Sequence, residues 1–466
     1  MIDESRGTSP RRARSTTPTA DALAETHTSK WDVALIPHRT LGRLLAALGF
    51  AFIAIMTLTP QAGPPAFAPS LCILCGELAV QDIILNVILF VPFGAGLRLA
   101  GVRRTRVIAL AFCLTAAIEL LQMHIIPGRD SSLGDVITNT LGGAIGVALA
   151  DSWRVWLEPT AQQARRQLWG GVVVWITIFA ATVWALHRAL PESTVWGQWD
   201  PAILHFDRFS GTIVKSDAAG FAFPPGARGS DRVFRRRLVS DSVLVSAQVV
   251  PGAPTERTAP ILSVYDLERT QIFLLAQRQR ALVFSIRMNT ARAMVRDPII
   301  GLDDVFPMAA NARAQNDTLR VAGGVIGNAL VIRATDDAHH TTRERRVTLG
   351  PGLGWSFFLP WPYAFGSETD ALSAVWIGGL LLPLAYWARR ARRPLEASAA
   401  LGVAVLGGLV IAPLVFHGAL AGWVEWAGVA FGLTLGAALG GGVTAPSAAH
   451  ASRSASRVRQ TPVAHT

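Results

Sequence analysis

Charged residues are scarce in this chain, and lysine is nearly absent from it. Only 16% of its 466 residues are charged, whereas 51% are hydrophobic; a soluble domain is usually about 25% charged. This composition excludes an ordinary soluble protein and predicts a membrane protein. Lys30 and Lys215 are the only lysines, so the formal net charge of +11 comes from arginine. Because the arginines cluster beside apolar segments, they fit the positive-inside rule better than binding to nucleic acid.

Cysteine is also rare, with three residues in the chain. This number excludes a scaffold of disulfides, and the lone pair Cys72 and Cys75 cannot complete a tetrahedral zinc site by itself. The pair can form a short-loop disulfide or stay as two thiols, while Cys113 lies in an apolar segment. The sequence alone does not decide between these states.

Long apolar runs, in contrast, are abundant. The first begins near Leu41, too far along the chain for a cleavable signal peptide and long enough to span a membrane. Arginines cluster before the first run, after every second run and in the C-terminal tail. Since arginine-rich loops stay in the cytoplasm, we expect both termini there. Eight runs suit spans of about 20 residues, at 41–59, 82–100, 106–123, 134–151, 168–187, 370–388, 397–416 and 420–440.

Glycines recur at intervals of four residues in two of these runs. Gly428, Gly432 and Gly436 lie along one face of the last run, and Gly142 and Gly146 do so in the fourth. Small residues at this spacing let two membrane helices approach closely. We therefore expect both runs to pack tightly against a neighbouring helix.

The segment between the fifth and sixth runs has a different character. Val243, Val245, Ala247 and Val249 alternate with residues that are mostly polar, which is the period of a half-buried strand. The alternating residues are Ser242, Leu244, Ser246 and Gln248. Short runs of this kind recur about every 10 residues with turn signals between them, as in an antiparallel sandwich. The predicted strands cover 243–249, 261–265, 271–276, 281–288, 318–322 and 329–334.

These patterns predict a polytopic α-helical membrane protein with an inserted all-β sandwich on the extracytoplasmic side. The expected units are a disordered basic tail (1–40), five spans (41–188), the sandwich (190–368), three further spans (369–440) and a second disordered tail (441–466).

Charged and amide residues are concentrated near the expected outer ends of the second, third and fourth spans. Within each span the members are three or four residues apart, so they share a helix face. Ionisable residues inside a membrane are functional by default. The set consists of Asp82, Asn86, Glu119, Gln122, Arg129, Asp135 and Asn139.

Two interpretations of this set are open. In a structural one, Arg129 neutralises carboxylates and the amides tie the helices together. In a functional one, a groove in the outer leaflet binds a polar headgroup, with Arg129 contacting its phosphate. Glu119 and Asp135 would then act as general acid or base, or the three carboxylates, including Asp82, would hold a divalent cation.

The same residues resemble the VanZ-like membrane family over roughly residues 40–155, in the pattern Asp82-x-x-x-Asn86-x-x-x-Phe90-x-Pro92-x-Gly94, Glu119-x-x-Gln122, Arg129 and Asp135-x-x-x-Asn139-x-x-Gly142. The resemblance implies a protein of the bacterial cell envelope. It implies which residues form the site, but it does not imply a particular reaction. Residues 261–287 more weakly resemble concanavalin A-like and laminin G-like domains, which implies binding of carbohydrate or protein.

The leading hypothesis is a protein of the bacterial cytoplasmic membrane that binds a phosphate-bearing or glycosylated lipid. Its sandwich would bind a cell-surface glycan, and an enzyme version would add chemistry on the lipid. Two alternatives stay open. One is a receptor or scaffold with a purely structural polar set, and the other is a transporter of lipid or solute, although no continuous polar path through the spans is visible.

Overall fold

The computed structural model describes most of the chain. The predicted tails fall mainly in 1–37 and 442–466, outside the described residues, and so do Cys75 and Asp130. The described residues are 38–60, 72–74, 76–129, 131–189, 195–201, 206–223, 228–229, 236–238, 240–266, 271–307 and 318–441.

Eight helices in the described chain are long and apolar enough to cross a membrane, which confirms the predicted multi-pass architecture. The seventh span, Pro394–Val415, contains a π-helix at Gly407–Ile411. The α-helices are α1 (His38–Leu58), α2 (Ala79–Leu99), α3 (Arg104–His124), α4 (Leu133–Asp151), α5 (Trp153–Leu157), α6 (Ala161–Ala185), α7 (Asn289–Arg292), α8 (Thr369–Arg390), α9 (Pro394–Leu406), α10 (Ala412–Val415) and α11 (Trp423–Gly441).

The largest difference from the predicted boundaries is at the start of α6. The apolar run predicts a start near 168, but the helix begins at Ala161. Thr160 accepts a hydrogen bond from the backbone N–H of Gln163, and the Gln163 side chain accepts one from the backbone of Thr160. This capping box stabilises a polar first turn that hydropathy alone does not detect.

Glycines set the closest helix contacts, as their spacing predicts. A Cβ added at Gly94 would overlap the backbone of Gly143, so α2 and α4 pack with their main chains nearly touching. Gly428 and Gly432 of α11 meet the backbone of α8 in the same way. These contacts hold α2 to α4 and α8 to α11 over several turns.

The apolar core of the helices is divided into two clusters. One contains buried residues of α1, α2 and α3, with Phe90 and Ile53 fully buried. The other contains residues of α6, α8, α9, the π-helix and α11, including Trp175 and Phe179. We call α1–α4 the first helical half, since α4 packs on α2, and α6 with α8–α11 the second helical half.

The segment between α6 and α8 forms a β domain of two sheets. The seven-stranded sheet has the order β13-β9-β8-β7-β6-β1-β4, and the six-stranded sheet the order β12-β11-β10-β5-β2-β3. The strands are β1 (Val195–Trp199), β2 (Thr212–Ala218), β3 (Phe221–Phe223), β4 (Arg228–Gly229), β5 (Ser242–Val250), β6 (Thr255–Asp266), β7 (Gln271–Gln279), β8 (Ala281–Ile286), β9 (Ile299–Leu302), β10 (Leu319–Ile326), β11 (Ala329–Asp336), β12 (Thr341–Thr348) and β13 (Ala364–Phe365).

Both sheets contribute to one hydrophobic core. Val243 and Val245 of the six-stranded sheet lie in the same buried cluster as Phe273 and Phe284 of the seven-stranded sheet. Burial alternates strictly along β5, as its sequence predicts. Neighbouring strands pair antiparallel except β9 and β13, which pair parallel. A 3₁₀ helix, Pro351–Phe358, then leads the chain back to α8.

Candidate functional site

The seven predicted site residues lie in the first helical half, around the end that meets the β domain. Asp82 lies in the first turn of α2, and Asn86 follows one turn later. The Nδ2 atom of Asn86 donates a hydrogen bond of 2.9 Å to Oδ1 of Asp135, in the first turn of α4. The close packing of α2 on α4 brings these two side chains together.

Glu119 and Gln122 link the last turns of α3 to its surroundings. The carboxylate of Glu119 accepts a 2.8 Å hydrogen bond from the backbone N–H of Ser132, just before α4. Gln122 donates one of 2.9 Å to the carbonyl oxygen of Thr57 in α1. Glu119 therefore fixes the entry to α4, and Gln122 ties α3 to α1.

Arg129 caps α1. Its Nη2 atom donates to the carbonyl oxygen of Met56 at 2.6 Å, and its Nε atom donates to that of Thr59 at 3.3 Å. The last carbonyls of a helix have no partners within the helix, so the guanidinium satisfies that of Met56 and also binds the carbonyl of Thr59, just after the helix. Burial lowers the pKa of Arg129. These contacts place Arg129 at the end of α1, where its charge faces the helix C-terminus.

Asn139 lies deeper in the bundle. Its Nδ2 atom donates a 2.9 Å hydrogen bond to Oγ1 of Thr115. Its Oδ1 atom is buried and accepts no hydrogen bond within the described part of the chain, and the same is true of Oε1 of Gln122. Both side chains are almost inaccessible, at 2% and 7% exposure. A buried acceptor without a donor costs about 1–3 kcal/mol, so each oxygen is suited to a water molecule or a ligand hydroxyl.

The three carboxylates of the set are close to one another. Asp135 lies within electrostatic range of both Asp82 and Glu119. Among the described residues, however, no three His, Cys, Asp or Glu side chains are grouped so that they could hold a metal ion. Cys72 is disulfide-bonded and Cys113 is a free, exposed thiol. Among the described residues, the site therefore has no preformed set of ligands for the divalent cation that the carboxylates made one of the alternatives.

The β domain also contributes to this site, through a residue that the predicted set does not contain. Gln81 is 1% exposed and makes three hydrogen bonds across the boundary between α2 and the β domain. Its backbone N–H donates to the carbonyl of Met294 (3.2 Å), its Nε2 donates to the carbonyl of Leu359 (2.7 Å), and its Oε1 accepts from the backbone N–H of Arg296 (2.9 Å). The Arg296 side chain is also within electrostatic range of Asp82.

The signal that could have pointed to Gln81 is its type and position. A glutamine directly before Asp82, at the start of a very apolar helix, needs polar partners at the membrane boundary. Its partners lie more than 200 residues away in the chain, so spacing could not identify them. Thr115 was missed for a similar reason, since a threonine in a span usually bonds within its own helix, whereas Oγ1 of Thr115 accepts from Asn139.

A second contact joins the β domain to the second helical half. Glu425, in the first turn of α11, accepts hydrogen bonds from the backbone N–H groups of Gly352 (2.7 Å) and Gly422 (2.6 Å). Asn289 adds a bond from Nδ2 to the carbonyl of Trp184 (3.1 Å). The carboxylate of Glu425 thus fixes the 3₁₀ helix to α11, which explains one of the few charges in the later spans.

Comparison with known proteins supports the family resemblance of the first half. Residues 13–154 match the model of the VanZ/LLP1 family. This VanZ/LLP1 segment contains α1–α4 and all seven predicted site residues, but less than half of the chain. No curated protein and no solved structure matches the chain. The resemblance of the β domain to concanavalin A-like and laminin G-like domains stays a prediction.

Proposed function

We propose that this protein binds the headgroup of a phosphate-bearing or glycosylated lipid in the outer leaflet of the bacterial cytoplasmic membrane. The binding site is the polar cluster, defined as Asp82, Asn86, Glu119, Gln122, Arg129, Asp135 and Asn139. The match to the VanZ/LLP1 family over residues 13–154 supports a membrane protein of this type. The arginine-rich loops support cytoplasmic termini and an extracytoplasmic β domain.

The observation that carries the proposal is the pair of unsatisfied amide oxygens in the cluster. Oε1 of Gln122 and Oδ1 of Asn139 are buried acceptors without donors in the described chain. Together with the nearby carboxylates of Glu119 and Asp135, they give the site a surplus of hydrogen-bond acceptors. Hydroxyl groups of a sugar, glycerol or inositol headgroup supply the matching donors.

Four of the seven side chains also tie helices together, which agrees with the structural interpretation. Asn86, Gln122, Arg129 and Asn139 each bond to a different helix or to its end. A buried amide that is satisfied at one end only is costly, and Gln167 and Gln277, outside the cluster, share this state. Because two such oxygens, those of Gln122 and Asn139, belong to the cluster itself, we infer that they are positions for a ligand or ordered water.

The test is to identify the lipids that remain bound to the full-length protein in a mild detergent by native mass spectrometry. Asp135→Asn and Asn139→Leu change the acceptors, Arg129→Ala removes the guanidinium, and Gln167→Ala is the control at the other end of the bundle. We expect a phosphorylated or glycosylated lipid on the wild type and the control, and its loss from the cluster variants. Equal lipid profiles in all well-folded variants would refute the proposal.

If the protein also acts on this lipid, Glu119 and Asp135 are the candidate acid and base. Both carboxylates lie in the cluster and within electrostatic range of each other. Purified lipid incubated with the protein should then give a product that Glu119→Gln abolishes. Lipid that binds but is recovered unchanged would show that the site is a binding site only.

For the β domain we propose a sandwich that binds a cell-surface glycan. The shared core of its two sheets supports the sandwich. A cleft of about 510 Å³ on the six-stranded sheet supports glycan binding, because hydroxyl and charged groups line it together with an aliphatic floor. Its polar lining consists of Asp217, Arg237, Ser240, Ser242 and Ser246.

The glycan proposal is tested with soluble fragments of cell-wall polysaccharide and the purified full-length protein. Arg237 packs over the ring of Phe221, with 5.7 Å between the guanidinium carbon and the ring centre. Arg237→Ala should weaken fragment binding, whereas Arg320→Ala, an exposed arginine paired with Asp337, should not. Undiminished binding by Arg237→Ala would place the glycan elsewhere.

A receptor is the second candidate function, and Gln81 is the observation that favours it. Its side chain connects the β domain directly to the helix that carries Asp82 and Asn86. A ligand on the β domain would act on the cluster through this contact. A truncated protein that lacks 193–366 and keeps full lipid binding would argue against the receptor.

A further inference from the structure

We propose that Arg278 and Arg296 of the β domain bind the phosphate group of the same membrane lipid, beside the first turn of α2. This inference rests on the proposed function and adds the groups that recognise the phosphate. It also assigns them to the β domain, outside the VanZ/LLP1 segment of the chain.

Arg296 is held at the boundary between the β domain and the helices. It lies in the loop between α7 and β9, and its backbone N–H donates to Oε1 of Gln81 at 2.9 Å. Its side chain lies within electrostatic range of Asp82 and of Arg278. The main chain at Arg296 is therefore fixed directly beside the residue that precedes Asp82.

Arg278 is positioned by the seven-stranded sheet. It lies near the end of β7, and its Nε atom donates a 3.3 Å hydrogen bond to Oγ1 of Thr258 on the neighbouring strand β6. A guanidinium has five N–H donors, so this single bond leaves donors on both terminal nitrogens. The rigid strand holds these donors near those of Arg296.

The two guanidinium groups together carry more positive charge than the one nearby carboxylate, that of Asp82, can offset. Neither forms an ion pair with a carboxylate in the described chain, and Nε of Arg296 is buried with no hydrogen-bond partner there. Burial lowers the pKa of both groups; at Arg296, Asp82 opposes this shift and Arg278 adds to it. Half-buried like charges side by side are unfavourable unless an anion joins them.

Three other arginines of the β domain form ion pairs. Ion pairs connect Arg280 with Asp304 at 2.8 Å, Arg320 with Asp337 at 2.6 Å, and Arg333 with Glu344 at 2.6 Å. Those pairs lie on the exposed surface, where water would solvate an unpaired arginine at little cost. Arg278 and Arg296 are half-buried and form no ion pair with a carboxylate in the described chain. Two such guanidinium groups within electrostatic range of each other are suited to binding an anion.

Phosphate fits this arrangement better than a carboxylate or a chloride ion. Its oxygens accept several charge-assisted hydrogen bonds, and guanidinium groups bind it in a bidentate manner. Asp82 offsets part of the charge near Arg296, so the local balance of two cations and one anion still favours an anionic ligand. The acceptors of the polar cluster then match the hydroxyl groups of the same headgroup.

A lipid is the source of phosphate that the position favours. Gln81, which contacts Arg296, lies in the first turn of a 21-residue apolar helix. The ends of such helices lie at the level of lipid headgroups. Arg296 is thus placed at the depth where lipid phosphates occur, and Arg278 lies within electrostatic range of it.

The test uses the full-length protein in nanodiscs of phosphatidylcholine, with and without phosphatidylglycerol, and measures bound phosphatidylglycerol by native mass spectrometry. Arg278→Gln and Arg296→Gln should each weaken retention about tenfold or more, the effect expected for losing one charge-assisted contact. Arg296→Lys should retain part of the binding, and Arg320→Gln should match the wild type. Protection of the Arg296 backbone N–H from hydrogen exchange checks that the variants are folded.

Different outcomes separate this inference from the proposed function. If both Gln variants keep the bound lipid and Asn139→Leu loses it, the proposal for the arginine pair is wrong and the proposal for the polar cluster is supported. If the Gln variants lose the bound lipid and Asn139→Leu keeps it, the arginine pair is supported and the proposal for the polar cluster is wrong. Inorganic phosphate that binds in phosphatidylcholine nanodiscs, and is not displaced by phosphatidylglycerol, would overturn the assignment to a lipid.

Discussion

Replacing Gln81 with alanine should loosen the β domain from α2 without unfolding either unit. The substitution leaves two backbone groups without partners, the carbonyl of Leu359 and the N–H of Arg296. An unsatisfied buried group costs about 1–3 kcal/mol, so the two together cost about 2–6 kcal/mol. The backbone bond from Gln81 N–H to the carbonyl of Met294 survives the change, which favours the lower part of this range.

Hydrogen exchange measured by mass spectrometry is the appropriate assay. A local cost of about 2 kcal/mol should speed exchange of the Arg296 amide about 30-fold, while peptides from the core strand β7 keep wild-type protection. Gln81→Glu keeps the acceptor for Arg296 but loses the donor to Leu359, so its effect should be intermediate. Gln167→Ala, which removes a 2.8 Å bond to the carbonyl of Val155 at the far end of α6, is the control. Unchanged exchange at 294–298 in Gln81→Ala would refute the reasoning.

Three further predictions concern other contacts. Gly432→Val should destabilise the second helical half by about 1–3 kcal/mol, because the new side chain would overlap the backbone of α8. The control is Gly379→Val, at a position with open space around it, which should not destabilise the protein. Equal unfolding temperatures of the two variants in detergent would contradict this prediction. Glu425→Ala should raise hydrogen exchange at Gly352, because its N–H loses its acceptor, and unaltered protection there would count against the contact. Burial raises the pKa of Asp297, although bonds from Thr290 and from the N–H of Met288 oppose the shift. The folded chain then keeps a proton that the unfolded chain releases near pH 3.9, so wild-type stability falls as pH rises from there through the folded pKa. The stability of Asp297→Asn should not fall over this pH range. If the stability of the variant and of the wild type changes with pH in the same way, the prediction is wrong.

The helical part was predictable because each span carries its own signal. A run of about 20 apolar residues is sufficient evidence for a span, and it needs no knowledge of the neighbours. The predicted spans differ from the observed helices at their boundaries. The clearest case is α6, where the capping box of Thr160 and Gln163 extends the helix by a polar turn. Such a turn lies beyond the apolar run and depends on a local capping bond.

The β domain was predictable where its strands carry an apolar signal, either alternating, as in β5, or continuous, as in the buried strands β6 and β7. The alternation along β5 gives that strand directly. In contrast, β12 at the sheet edge is mostly exposed and contains Arg343, Arg345 and Arg346, so it has no apolar face to detect. Arginines on an edge strand hinder pairing with a strand of another chain. The same charged residues that make β12 difficult to predict from sequence therefore also reduce the tendency of this sheet to aggregate.

The candidate site was predictable in its residue types but not in its partners. Ionisable and amide residues inside apolar segments identified Asp82, Glu119 and Asp135 as members of one cluster. The bond from Arg129 to the end of α1 and the bonds from Gln81 to the β domain depend on long-range packing. Sequence spacing within a helix contains no information on such contacts.

Because the apolar core of the helices is divided into two clusters, we expect the two helical halves to fold as units that can be made as separate pieces. The first helical half coincides with the described part of the segment that matches the VanZ/LLP1 family, and the chain passes to the second half through α5. The halves meet near α5, where Trp387 bonds to the carbonyl of Trp156, and at the other end through the β domain. If the gene is divided between the codons for 157 and 161 and the two pieces are co-expressed, they should therefore assemble into one protein. The contacts of the β domain with both helical halves would hold the pieces together.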